Sequence, residues 1–194
     1  CVAKDTEQAR SLLAQAISIA PQAPRPRMDL ARLQHQQGHA AEAFATLMDA
    51  ISAAPGAIAL MAAPLAQYAV DCGQCAPALE HLKAIYSQAR SLDVLDAIVA
   101  LEAALGDATV TARDWYARHL EKEPSLVAAA KWIAGEKLEH EQFHPQVQRA
   151  LDHAVKPLTR YRCAACGFEA KQHFWQCPGC QAWDSYPARR VEEL

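Results

Sequence analysis

The sequence predicts an all-α fold: a right-handed solenoid of stacked helical hairpins followed by a small four-cysteine metal module. Three observations predict it. A block of apolar residues ending in proline recurs at an offset of 34 residues. Alanine supplies much of the 52% hydrophobic content, while aromatics are only 7%, a balance that favours helix over sheet. Four of the seven cysteines fall between positions 163 and 180 as two C-x-x-C pairs.

The repeat is legible in Leu13-Ala14-Gln15-Ala16-Ile17-Ser18-Ile19-Ala20-Pro21 and Leu47-Met48-Asp49-Ala50-Ile51-Ser52-Ala53-Ala54-Pro55, where Leu, Ala, Ile, Ser, Ala and Pro return in register. Ala84-Ile85 continues the series. A helical period of 34 is that of the tetratricopeptide repeat, in which each unit is an antiparallel helix pair, A then B. One pair cannot bury its own apolar stripe, so neighbouring pairs must stack. Alanine at Ala16, Ala50 and Ala84 is expected at helix contacts, where a larger side chain would overpack the joint at about 1–3 kcal/mol.

Periodicity and punctuation place the elements in order. Residues 5–20 read as a B helix lacking its own A helix, ended by Pro21. The next pair is 26–37 and 40–54, separated by Gly38 and closed by Pro55-Gly56. A third is 58–71 and 76–89, with Cys72-Gly73 at the turn. A fourth is 91–105 and 108–121, with Gly106-Asp107 between them and Pro124 after. The last is 125–138 and 145–155. The repeat domain is therefore expected over 1–155 and the metal module over 156–194. A helical pattern already running by Thr6 makes the start read as a cut within a longer protein.

Charge narrows the function classes. The formal net charge is −3. Residues 1–155 hold 13 Lys/Arg against 18 Asp/Glu, and residues 156–194 hold 6 against 4. That weighs against nucleic acid as the main partner, because phosphate binding needs a basic surface. Arg160, Arg162, Lys171, Arg189 and Arg190 lend the module some charge, but its aromatics are better used as its core. Arg25, Arg27 and Arg32 form a basic group near an A helix and read as ordinary surface charge. No window approaches 18 consecutive apolar residues, so no membrane-spanning segment is expected within these residues, and Cys1-Val2-Ala3-Lys4-Asp5 does not read as a signal peptide.

The module reads Cys163-Ala164-Ala165-Cys166-Gly167, then residues to Gln176, then Cys177-Pro178-Gly179-Cys180. Two such turns deliver four sulfurs to the corners of a tetrahedron, and soft thiolates select zinc or iron. Zinc is favoured as the commoner structural ion. Gly167 suits the left-handed backbone after the first turn. Four protein ligands leave no open coordination position, so the site is structural or electron-carrying rather than hydrolytic. A module this small also needs the folding free energy that metal binding supplies.

Two other motifs compete. His140-Glu141-Gln142-Phe143-His144 matches H-E-x-x-H, which on one helix face would make a zinc peptidase centre. Pro145 disfavours helical geometry at His144, placing that residue at a helix end. The segment reads as a solvated connection. Cys72-Gly73-Gln74-Cys75 is a lone C-x-x-C without the βαβ context of redox versions, and reads as small residues at a turn. Cys1 carries no reading beyond its terminal place.

The chain resembles the lipopolysaccharide assembly protein B family of Gram-negative bacteria. The residues that carry the likeness are Tyr161-Arg162-Cys163-Ala164-Ala165-Cys166-Gly167-Phe168 with Phe174-Trp175-Gln176-Cys177-Pro178-Gly179-Cys180-Gln181-Ala182-Trp183, preceded by the repeats. The resemblance implies a rubredoxin-type module with Cys163, Cys166, Cys177 and Cys180 as ligands of one metal ion. Electron-carrying rubredoxins have glycine where Gln181 stands, which weakens an electron-transfer reading. It further implies a non-enzymatic adaptor on the cytoplasmic face of the inner membrane, attached by an amino-terminal membrane helix that this sequence lacks. Its implied partners are a membrane-bound AAA+ protease, the deacetylase of the lipid A pathway, whose degradation it promotes, and other lipopolysaccharide assembly proteins.

Overall fold

A computed structural model describes residues 2–106, 112–135 and 143–194. Two compact units emerge, Cys1–Gly106 and Asp107–Leu194. The first contains α1 (Val2–Ile19), α2 (Pro24–Gln36), α3 (Ala40–Ala53), a 3-10 turn at Pro55–Ala57, α4 (Ile58–Asp71), α5 (Cys75–Gln88) and α6 (Leu92–Leu105). The second contains α7 (Ala112–Leu120), α8 (Leu126–Ala134), α9 (His144–Val155), strands β1 (Tyr161–Arg162) and β2 (Glu169–Ala170), and a 3-10 turn at Val191–Glu193. The expected hairpin of 91–105 with 108–121 thus has its first helix in one unit and its second in the other.

In the first unit each helix packs on the next, and α4 also packs on α6. That is the pattern of tetratricopeptide-type hairpins, in which successive A helices touch. Leu47, Met61, Leu65, Leu82, Leu95, Ile98 and Leu101 are fully buried between them. Ala31, Ala43, Ala50, Ala62, Ala69 and Ala78 are buried alongside, where their small side chains let helix backbones approach. The A-to-B turns are built alike. Gly38 and Gly73 both adopt positive φ, 83° and 71°, which glycine alone reaches without a Cβ penalty.

The period of 34 does not hold throughout. Gly38 and Gly73 are separated by 35 residues, as are the helix starts Ala40 and Cys75. The buried stripe of α3 is Ala43, Leu47, Ala50 and Ile51, while that of α5 is Ala78, Leu82 and Tyr86. Leu47 therefore corresponds to Leu82, and Ile51 to Tyr86. The serines that close the helices agree: Ser18, Ser52 and Ser87 donate to the carbonyls of Gln15, Met48 and Ala84. The extra residue lies in α4, which has 14 residues where α2 has 13. A shorter link after α5 restores the register, because α4 and α6 begin at Ile58 and Leu92. Ala84 is consequently exposed rather than packed at a helix joint, and Ala16 is half-buried, while Ala50 is fully buried as expected.

No single described helix is long and apolar enough to cross a membrane; α3 and the segment Pro55–Asp71 pass that test only jointly, bent by 116°. Among the surface arginines of α2, Arg25 and Arg32 both face Asp29, at 3.7 and 2.9 Å, and Arg27 donates to the carbonyl of Pro21.

Candidate metal centre

The module is two matching knuckles. In the first, the N–H of Cys163 donates to Phe168 O and that of Gly167 to Cys163 O, each at 2.9 Å. In the second, the N–H of Cys177 donates to Ala182 O at 2.9 Å and that of Gln181 to Cys177 O at 2.8 Å. The residue after each second cysteine is left-handed: Gly167 at φ 77° and Gln181 at φ 61°. The second knuckle thus has the left-handed geometry without its glycine, a conformation uncommon for a residue with a Cβ. Gly179 serves differently. A Cβ there would come within 3.3 Å of the Phe168 ring, so this glycine makes room for the aromatic of the opposite knuckle.

These turns bring the four sulfurs of Cys163, Cys166, Cys177 and Cys180 within 4.8 Å of one another. Cys163 Sγ lies 3.8 Å from Cys180 Sγ, and Cys166 Sγ 3.7 Å from Cys177 Sγ. Four sulfurs about 2.3 Å from a tetrahedral ion are about 3.8 Å apart, so the donor set fits a closed four-thiolate ion. Cys163 and Cys177 are buried, whereas Cys166 and Cys180 are exposed.

Electrostatics point the same way. The Ser185 hydroxyl, 3.2 Å from Cys163 Sγ, holds the Cys163 thiol down to about 6, with help from the Cys166 and Ala165 N–H groups. Burial pushes the Cys177 thiol up, but the N–H groups of Cys180 and Gly179 leave it lowered overall. Although the Phe168 N–H favours the Cys166 thiolate, the surrounding cysteines Cys180, Cys163 and Cys177 push that thiol up to about 12. Backbone donors and the Ser185 hydrogen bond thus favour negative sulfur, while full ionisation of the set is opposed by like charge. A cation removes that opposition.

Around the sulfurs, Tyr161 pairs with Ala170 and Arg162 with Glu169 across the antiparallel β1–β2 ladder. His173 is the centre of the aromatic core. Its ring meets those of Tyr161, Trp175 and Tyr186 edge-on, at centroid distances of 5.5, 4.7 and 6.0 Å, and its Nε2 contacts Tyr186 O at 3.1 Å. Burial lowers the His173 imidazole. Tyr161 and Tyr186 are buried, but Phe168 and Trp183 are 44% and 60% exposed, so only part of the aromatic set forms the core. Sequence reasoning singled out neither His173 nor Ser185. Their roles come from contacts across 12 and 22 positions of chain, which spacing rules do not carry.

Three of the module's basic residues are engaged internally. Arg162 and Arg160 face Glu169 at 2.8 and 3.6 Å, and the Arg190 guanidinium sits 4.3 Å above the Tyr161 ring. Of the H-E-x-x-H motif, His140 and Glu141 lie outside the described residues. His144 opens α9 beside Pro145, a helix end as expected, and its Nε2 contacts Ile133 O at 3.1 Å. Among the described residues His144 joins no group of potential metal ligands.

The tail ties the module to the helices of its own unit. Val191 and Glu192 donate backbone N–H groups to Arg160 O and Leu158 O. The Glu192 carboxylate accepts from the Leu126 and Val127 N–H groups at 2.6 and 3.1 Å and from the Ser125 hydroxyl at 2.8 Å. It therefore caps the start of α8, where unpaired N–H groups favour negative charge.

Comparison with known proteins supports both parts of this architecture. Residues 161–186 match the family described as Rubredoxin metal binding domain, and residues 3–68 match the tetratricopeptide repeat. Lipopolysaccharide assembly protein B of Escherichia coli (strain K12) is 28% identical over 94 residues, covering 45% of this chain and 24% of that protein. The protein of the same name from Haemophilus influenzae is 23% identical over 184 residues, covering 91% of this chain and 46% of that protein. The chain thus spans between a quarter and a half of the length of these relatives. Helical-hairpin repeats followed by paired cysteine knuckles thus make the chain similar, in both its parts, to the lipopolysaccharide assembly protein B family.

Proposed function

We propose that this chain is a non-enzymatic interaction adaptor of lipopolysaccharide assembly. It links a membrane AAA+ protease to the lipid A pathway deacetylase and promotes degradation of that deacetylase. The repeats over 1–155 present the protein-binding surface, and the module over 156–194 is held rigid by one metal ion, zinc in preference to iron, on Cys163, Cys166, Cys177 and Cys180. The full-length protein acts at the cytoplasmic face of the inner membrane. The observation that carries the reading is the closed four-sulfur cluster: a centre with four protein ligands leaves no position for substrate or water. When bound, the metal supplies cross-linking of the two knuckles. Ser185 and the knuckle N–H groups hold the sulfurs as thiolates, and Glu192 transmits the fixed geometry to α8.

Elemental analysis of the purified chain is expected to give one metal ion. Cys163→Ser or Cys180→Ser is expected to abolish it and unfold residues 160–190 while leaving the circular dichroism of the first unit. A metal ion retained after Cys163→Ser but lost after His144→Ala would instead support a peptidase centre. Affinity capture from cells carrying the intact protein is expected to retain both the protease and the deacetylase, and capture of neither would refute the adaptor reading.

A further inference from the structure

Cys72 and Cys75 lie outside the four-cysteine module. Cys72 caps the end of α4 and Cys75 is the first residue of α5, so only Gly73 and Gln74 separate the two cysteines. Both thiols are free and half-buried. Each sulfur faces the same acceptor: Cys72 Sγ is 3.9 Å and Cys75 Sγ 3.7 Å from Ala69 O. Both sulfurs therefore lie within 4 Å of one carbonyl oxygen, on cysteines only three positions apart in the chain.

The fold does not need thiols here. The equivalent turn of the preceding repeat places Gln37 and Ala40 at these two positions. It has the same left-handed glycine, Gly38, and the same bonding. His39 N donates to Gln34 O and Gly38 N to His35 O, as Gln74 N donates to Ala69 O and Gly73 N to Val70 O. The pair of cysteines is thus an addition to a turn that is built without them.

We propose that Cys72 and Cys75 form a dithiol modification site that closes to an intramolecular disulfide when it meets a disulfide oxidant of the glutathione class. One cysteine gives up its proton and its thiolate attacks a sulfur of the oxidant. The oxidant's S–S bond breaks and one glutathione leaves as a thiol, taking a proton. The second cysteine, deprotonated in turn, attacks the mixed disulfide and expels the other glutathione, again protonated. Two cysteine thiols are oxidised to one disulfide, and one oxidised glutathione is reduced to two thiols. The bridge staples the end of α4 to the start of α5 and leaves the module's sulfurs untouched.

The test treats the metal-loaded chain with oxidised glutathione, then alkylates and maps the cysteines by mass spectrometry. The expected result is joint loss of alkylation at Cys72 and Cys75, a peptide lighter by two hydrogens, no retained glutathione, and reversal by dithiothreitol. Cys72→Ser is expected to leave a stable glutathione adduct on Cys75, because no thiol remains to expel it. Cys72→Ser/Cys75→Ser is expected to keep the far-ultraviolet circular dichroism of the parent. Accumulation of a glutathione adduct on the parent chain, or full alkylation of both cysteines at oxidant concentrations that modify Cys72→Ser, overturns the proposal. So does a Cys72→Ser chain that acquires no adduct.

Discussion

Replacing Glu192 with alanine removes the carboxylate that gathers the first donors of α8. Three bonds are lost at once: from the Leu126 N–H at 2.6 Å, the Val127 N–H at 3.1 Å and the Ser125 hydroxyl at 2.8 Å. A hydrogen bond to a charged acceptor contributes about 1.5–3 kcal/mol when buried, and favourable charge at a helix start adds about 0.3–1 kcal/mol. Glu192 is only half-buried, and Ser125 still caps α8 by accepting from the Ala128 N–H. Water also reaches Leu126, which is 40% exposed, and can take the place of part of the lost carboxylate. The expected destabilisation of the second unit is therefore about 2 kcal/mol, well below the sum for three fully buried bonds, because solvent and Ser125 replace much of what is lost. For a cooperative unit of fewer than about 100 residues this corresponds to a fall in Tm of about 8–16 °C. Urea and thermal denaturation followed by circular dichroism measure it, with Glu192→Gln expected to lose less because one acceptor oxygen remains. A change under about 0.5 kcal/mol, with unaltered hydrogen-exchange protection at Leu126 and Val127, would show that the tail merely rests on α8.

The corrected register makes Ala50 and Ala84 opposite cases: Ala50→Leu is expected to cost about 1–3 kcal/mol by overpacking a filled joint, and Ala84→Leu less than about 0.5 kcal/mol on an exposed face, both read from urea midpoints. In the first unit, His35 Nε2 lies 2.6 Å from Asp71 Oδ2 while its ring stacks on Tyr68 at 4.2 Å. That hydrogen bond, with a second from Gln67, holds the Asp71 carboxyl below the usual carboxylate range. Because its folded value lies below its unfolded value, the carboxylate's stabilisation is complete above about pH 4 and is lost as pH falls through the folded value. Asp71→Asn is expected to flatten this acid limb of the stability profile, and an unchanged limb would remove Asp71 from it.

Helix content, the order of the helices and the two cysteine knuckles were all legible from local pattern. Proline and glycine punctuation, apolar spacing and C-x-x-C pairs act over a few residues, and each is written contiguously in the chain. The tertiary structure decided what depends on partners distant in sequence. A single added residue in α4 moves the buried stripe of α5 to Ala78, Leu82 and Tyr86, and the 34-residue spacing concealed it because the following link is shorter by one. His173 becomes the heart of the aromatic cluster, Ser185 a hydrogen-bond partner of sulfur, and Glu192 the cap of a helix more than 60 residues earlier in the chain. Their residue types are ordinary on a protein surface; only the folding of the knuckles and tail gives each the neighbour that defines its role.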